Sequence, residues 1–193
     1  MTTATVTYDE PAPELRRRTI AAGEARVAVF SRTYPTTIED LWEACTDADR
    51  LSRWYTRVSG DLRIGGRFEQ VNMGTGTIEV CEPPRLLRVS LGGGADEIEL
   101  RLSPGAAAGT TDLELQHATT FDSHEIGGQR YDAIFCMGGG YYPRLRALDL
   151  HVRGILPEDY DSTAFHLNPD MRSTIERGSA AMAALLEADG ARR

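Results

Sequence analysis

The feature that most constrains this chain is a series of short segments in which apolar and polar residues alternate, separated by glycine and proline. The clearest spans 97–102: Ile98, Leu100 and Leu102 fall on one side, Glu97, Glu99 and Arg101 on the other. A period of two is that of a strand with one buried and one wet face. Over 86–91, Leu87, Val89 and Leu91 share a side, and over 110–119 Leu113, Leu115 and His117 do, opposite Asp112, Glu114 and Gln116. The segment 25–34 sets Val27, Val29 and Ser31 against Ala28, Phe30 and Arg32, so both of its faces are partly covered. Further strands are predicted over 62–73 and 77–81. Turns are expected at Gly74-Thr75-Gly76, Pro83-Pro84, Gly92-Gly93-Gly94 and 104–109, and Gly65-Gly66 reads as a bulge or sharp bend. About six antiparallel strands joined this tightly predict one curved sheet with an apolar face.

Helical spacing appears between and after these strands. Ile38, Leu41, Trp42 and Cys45 sit at i, i+3, i+4 and i+7, behind a Thr37/Asp40 start signal. Asp47 to Asp49 can cap a second short helix whose apolar side is Leu51, Trp54 and Tyr55. A long helix is predicted over 140–153, striped by Tyr141, Leu145, Leu148 and Val152, with Pro143 in its first turn. The piece 121–137 reads as a loop or short helix. Asn168-Pro169-Asp170 opens a last helix with Met171, Ile175, Met182, Leu185 and Leu186 on its apolar side. The expected organisation is a tail over 1–24, with a helical turn over 14–22, then a domain over 25–154 and a helical extension over 155–193. The extension is expected to pack on the domain, with docking on a second subunit, a homodimer, as the alternative.

At 193 residues and 41% hydrophobic composition the chain is long and apolar enough for one cored domain. Its formal net charge of −8 and lack of a basic block argue against nucleic acid or an anionic membrane as partners. Arg16-Arg17-Arg18 reads as a solvated terminus. All 21 basic residues are arginine, so Schiff-base chemistry and a phosphate-binding P-loop lysine are excluded. Cys45, Cys81 and Cys136 are odd in number and far apart, no apolar run approaches the roughly 18 residues of a membrane span, and 1–13 lacks an apolar signal core. A reducing, cytoplasmic setting is expected. The histidines do not pair at metal-ligand spacing, no Gly-x-Ser-x-Gly elbow is present, and no cofactor is expected.

Several of these pieces recur in a known order. The Leu41-Trp42 helix ending in Thr46-Asp47, the Trp54-Tyr55 pair, Asp61-Leu62-Arg63-Ile64-Gly65-Gly66-Arg67-Phe68, Glu82-Pro83-Pro84-Arg85-Leu86-Leu87 and Leu115-Gln116-His117 together resemble the START-like, or SRPBCC, superfamily. The nearest branch is that of the Hsp-ninety ATPase activator homologues, and the resemblance covers about 27–154. It implies an α+β helix-grip fold, a curved antiparallel sheet wrapped around a long C-terminal helix with two short helices after the first strand. Where the family helix commonly opens Gly-Trp this chain has Gly140-Tyr141, which brings a hydroxyl to the cavity rim.

A curved sheet closed by one helix leaves a space of a few hundred Å³, the usual scale of a ligand pocket. Alternation nominates Trp54, Phe68, Leu87, Val89, Leu100, Leu115, His117, Phe135, Met137, Tyr141 and Leu145 as its lining, each strand uncertain by one register slip. The first reading is a small hydrophobic ligand held in that space. The second is a polyketide cyclase- or aromatase-like enzyme in which His117 and Tyr141, with Arg67 or Glu69, orient groups or move protons. The third, a chaperone co-regulator, rests on the family's name alone. The bland alternatives are a satisfied core histidine at His117, ordinary core aromatics at Trp42 and Trp54, and two solvated strand residues where Glu69 and Glu79 otherwise face each other as a carboxylate pair.

Overall fold

Every apolar side chain of the strand Gly23–Tyr34 between Val27 and Phe30 is almost wholly buried, on both faces, so something must cover each side. A computed structural model of the chain, which describes residues 9–191, shows what does. Among the described residues the main sheet has eight antiparallel strands: β1 (Ala12–Ile20), β2 (Gly23–Tyr34), β3 (Val58–Gly60), β4 (Arg67–Gln70), β5 (Gly74–Glu82), β6 (Leu86–Leu91), β7 (Asp96–Pro104) and β8 (Thr111–Thr119). They lie in the order β1-β2-β8-β7-β6-β5-β4-β3. A separate two-stranded ribbon, β9 (Ser123–Ile126) and β10 (Gln129–Asp132), leads directly into the long helix of the chain.

The expected N-terminal tail over 1–24 is therefore corrected for its described part: β1 pairs with β2 along its whole length, Leu15 opposite Ala28. The arginine triplet is part of this strand rather than a solvated terminus. Arg16 pairs with Glu14 and Glu114, Arg17 with Asp189, and Arg18 with Glu97. With so little apolar sequence, β1 carries almost no period-two signal, and its side-chain partners come from distant segments.

The helices are α1 (Ile38–Thr46), α2 (Ala48–Trp54), α3 (Ala133–Val152) and α4 (Pro169–Gly190). The start signals act as expected: Thr37 Oγ1 accepts from the Asp40 N–H at 3.3 Å, Asp47 Oδ1 from the Arg50 N–H at 2.9 Å, and Asn168 Oδ1 from the Asp170 N–H at 2.9 Å. The long helix begins at Ala133, not at 140, because Asp132 caps it through the Ile134 N–H at 2.8 Å. Pro143 consequently lies inside α3, where the carbonyl it cannot bond is that of Gly139, a residue with no side chain to crowd the ring. Two turns also shift. Gly65-Gly66 is a tight turn before β4, not a bulge, and the strand expected over 62–73 shrinks to Arg67–Gln70. The following hairpin turns at 71–73 through Asn72, with φ +62°, while Gly74 and Gly76 pair inside the ladder opposite Gln70 and Phe68. Gly76 makes room for a neighbour: a Cβ there would stand 2.5 Å from the Phe68 ring. The sheet's one irregularity of register falls instead in β5, between Ile78 and Val80.

The result is the α+β helix-grip arrangement: α3 lies on the concave face, where Phe30 of β2 meets Tyr141 and Tyr142 at ring separations of 5.3 and 6.0 Å. Behind α3 lies α4, at glycine distance; a Cβ on Gly138 would stand 2.1 Å from the Gly178 carbonyl oxygen. Among the described residues no helix is long and apolar enough to cross a membrane.

Candidate functional site

Side chains from β2, β8 and α3 fill one end of the concavity: Phe30, Tyr34, Leu113, Tyr142, Leu145 and Leu148 pack there as continuous core. At the other end, under β4 to β7, packing is incomplete and leaves a cavity of about 150 Å³. This is smaller than the few hundred Å³ expected of the architecture, because the aromatic residues of α3 occupy the rest. The sheet supplies Phe68, Ile78, Leu87, Val89, Ile98, Leu100 and Leu115; α1 and α2 supply Cys45, Thr46, Leu51 and Trp54; α3 supplies Tyr141. Tyr55, Val58, Leu62, Gln70 and Cys81 complete the wall. Leu62 both lines the cavity and is 43% exposed, which locates its mouth at the turn before β4.

Of the residues nominated from sequence, Trp54, Phe68, Leu87, Val89, Leu100, Leu115 and Tyr141 line this space. Trp54 is fixed there by its indole N–H, which donates to the Ala44 carbonyl at 2.8 Å. Four nominations fall elsewhere. Met137 and Leu145 are buried in the filled end, and the Leu145 carbonyl accepts from the Tyr34 hydroxyl at 3.2 Å. Phe135 stacks on Tyr131 at 5.8 Å, outside the cavity, because the helix begins before it rather than after it. His117 lies one layer behind the wall, its Nδ1 2.9 Å from the Tyr141 hydroxyl oxygen. Arg67 and Glu69 are on the exposed face of β4 and are not part of the site. Glu69 faces Thr75, and Glu79 accepts instead from the Ser90 hydroxyl at 2.5 Å, so no carboxylate pair forms.

Behind Tyr141 is a line of polar groups that the alternation only half exposed. His117 Nε2 lies 3.5 Å from Asp96 Oδ1, and neither atom has another partner. Asp96 is two residues before Ile98 and opposite Thr119, so it shares the inward face; the predicted strand stopped one residue short of it. Burial alone would make this carboxyl a weaker acid, but hydrogen bonds from His117 and Thr119, and the charges of His117 and His124, hold it below the usual range. Tyr141 goes the other way: burial, reinforced by Tyr55 and Asp96 and opposed by Arg144, raises its phenol well above its ordinary value. It is a neutral hydroxyl, not a phenolate. The Cys45 thiol is pushed up to about 12 by burial, so it offers no thiolate at neutral pH. Gln70 and Tyr55 are further polar groups of the wall: Gln70 is 6% exposed, donates to the Tyr55 hydroxyl oxygen, and leaves its own Oε1 with no partner. Among the described residues no three His, Cys, Asp or Glu side chains group as a metal site. The site can enclose, orient and hydrogen-bond a molecule; it holds no activated nucleophile.

Comparison with known proteins adds to this geometry. The family described as Activator of Hsp90 ATPase homolog 1-like protein matches residues 35–142. No curated protein matches the chain. The crystal structure of CalU16 from Micromonospora echinospora shares 33% identity over 93% of this chain and 99% of that one, with a TM-score of 0.73. Its solution structure shares 34% over 95% and 99%, with a TM-score of 0.78. An HSP90 activator from Plasmodium falciparum, PFC0360w, is 18% identical over 68% of this chain and 97% of that one, at a TM-score of 0.54, a likeness of fold.

Proposed function

The chain belongs to the Activator of Hsp90 ATPase homolog 1-like family, and on that premise we propose that it binds a small apolar molecule in the cavity between β4–β8 and α3. One observation carries this reading: about 150 Å³ of space walled mostly by Leu, Ile, Val, Phe and Trp side chains. A dry apolar cavity of this order accepts a single aromatic ring. A guest losing roughly 150–200 Å² of apolar surface gains at most about 4–5 kcal/mol, which corresponds to dissociation constants near millimolar.

Trp54 reports on the site, since it stands in the wall while Trp42 is in the helix core outside it. Titration with toluene should change Trp54 fluorescence and shift the methyl resonances of Leu100 and Leu115 saturably. Val89→Phe, which fills the cavity from the sheet side, should abolish both effects while the protein stays folded. Saturable shifts confined to other surfaces, or none up to the solubility limit of toluene, would remove the reading.

A second reading, an enzyme of the cyclase type, is favoured by the line Tyr141–His117–Asp96. Along it a proton from a bound hydroxyl can pass through the Tyr141 oxygen to the imidazole, with the carboxylate stabilising the cation formed. Under this reading His117→Gln abolishes turnover and leaves binding within a few-fold; under the first reading no turnover exists to lose.

A further inference from the structure

The polar atoms at the wall also specify what the guest must carry, an inference that rests on the binding reading just given. A neutral imidazole has one N–H and one bare nitrogen. Here the Asp96 carboxylate faces Nε2, so the proton resides there, as it does wherever a carboxylate fixes a histidine tautomer. Nδ1 is then the acceptor, and at 2.9 Å the hydroxyl of Tyr141 must be the donor. The only proton Tyr141 has is spent on His117. Towards the cavity it presents oxygen lone pairs and nothing else.

The second polar group agrees. The Gln70 side chain is engaged with Tyr55, and its Oε1 is buried with no partner of its own. A buried acceptor left unsatisfied is destabilising, and a guest that donates to it recovers the loss. Two separate side chains, one on α3 and one on β4, thus leave acceptors at the same cavity wall. We infer that the guest is an arene or other compact apolar body carrying a hydroxyl or N–H donor, and that Asp96 sets this preference through the His117 tautomer. Asp96 is a positioning residue here: it never reaches the guest.

Phenol, toluene and benzaldehyde are close in size and differ in what they offer: a donor, neither, and an acceptor. Phenol should bind at least about tenfold more tightly than toluene, the effect of one buried hydrogen bond, and more tightly than benzaldehyde, which can only accept, from the Tyr55 hydroxyl. In Asp96→Asn the amide can present its carbonyl or its NH₂ to Nε2; the NH₂ orientation drives the proton to Nδ1, frees the Tyr141 hydroxyl and shifts preference towards benzaldehyde. Gln70→Leu should lower phenol affinity several-fold and leave toluene unchanged or improved; it tests the acceptor pair independently if Asp96→Asn does not fold. Phenol and toluene binding equally in the wild type, or benzaldehyde binding best, overturns this inference while leaving the cavity reading standing. No binding by any of the three overturns both.

Discussion

Asp149 shows how much a single buried residue is asked to do. Its carboxylate is fully buried in α3, accepting from Arg32 Nη2 at 2.9 Å and from Arg153 Nε at 3.0 Å. Arg32 comes from β2, so the pair ties the closing helix to the sheet. Removing one partner of a buried ion pair strands the other, and Asp149→Leu should cost about 3–5 kcal/mol of stability by urea unfolding. Adding Arg32→Met to that variant should restore a large part of the loss; no restoration would mean that the charge is not what the site was satisfying. Cys45 gives a chemical readout on the same scale. Its raised thiol should resist iodoacetamide at pH 8 in the native protein, while unfolding exposes it to normal alkylation, as peptide mass mapping would show. Residue identities of this kind were partly legible in the sequence. His117 is on an inward face by its spacing from Leu113 and Leu115, but Asp96 precedes the apolar alternation, which begins at Glu97, and so carries no signal of its own. Gln70, a polar residue on the same face as Phe68, gives no apolar signal at all.

Between elements, the contact of α3 with α4 is the one that sequence periodicity could not supply. Gly138-Gly139-Gly140 stands where the sequence predicts the helix to open, yet all three are inside α3, and Gly138 and Gly178 meet where the helices cross. Glycine appears in mid-helix, despite its propensity cost, because the backbones approach too closely for a methyl group. Gly178→Ala would place a Cβ 2.2 Å from the Gly138 carbonyl oxygen. The expected loss is about 1–3 kcal/mol, the usual range for overpacking, with a lowered thermal midpoint. Ala→Gly at the exposed Ala184 gives the reference for helix propensity alone; a loss at Gly178 no greater than that would deny the crossing its role. The short capped helices and β6 to β8 were readable for the opposite reason: their caps and alternation are local. β1 and the turn at Asn72 were not, since one depends on partners far along the chain and the other on a positive φ that asparagine tolerates without advertising it.

For the molecule as a whole, the titratable groups predict the shape of its stability against pH. Asp40, Asp96 and Glu99 all have carboxyl values held below the ordinary 3.8 to 4.5: burial acts against this in each, and hydrogen bonds and cationic neighbours win. Their contribution is complete above the ordinary values and is lost as pH falls through the lower, folded ones. His151 is depressed below 6.5 by burial first, then by Arg50 and Arg53. The unfolded chain therefore takes up a proton there that the folded one refuses, and stability declines from about pH 6.5 downward. At the alkaline end Tyr55, Tyr141 and Tyr160 are raised, chiefly by burial, Tyr160 to about 12, so above pH 10 the unfolded chain ionises first and stability falls again. Urea midpoints should describe a plateau with both flanks descending; a midpoint constant from pH 7 to pH 4 would contradict it. The overall architecture was the most legible level of all, because several short motifs in one order point to it together, whereas the size of the cavity depended on how far the side chains of α3 reach and was overestimated.

Under the binding reading, that vacancy, barely roomier than one benzene ring, sorts guests by bulk before any polar contact counts. The chamber opens beside Leu62, which is both lining and exposed, and a body of two fused rings exceeds its volume unless the wall gives way.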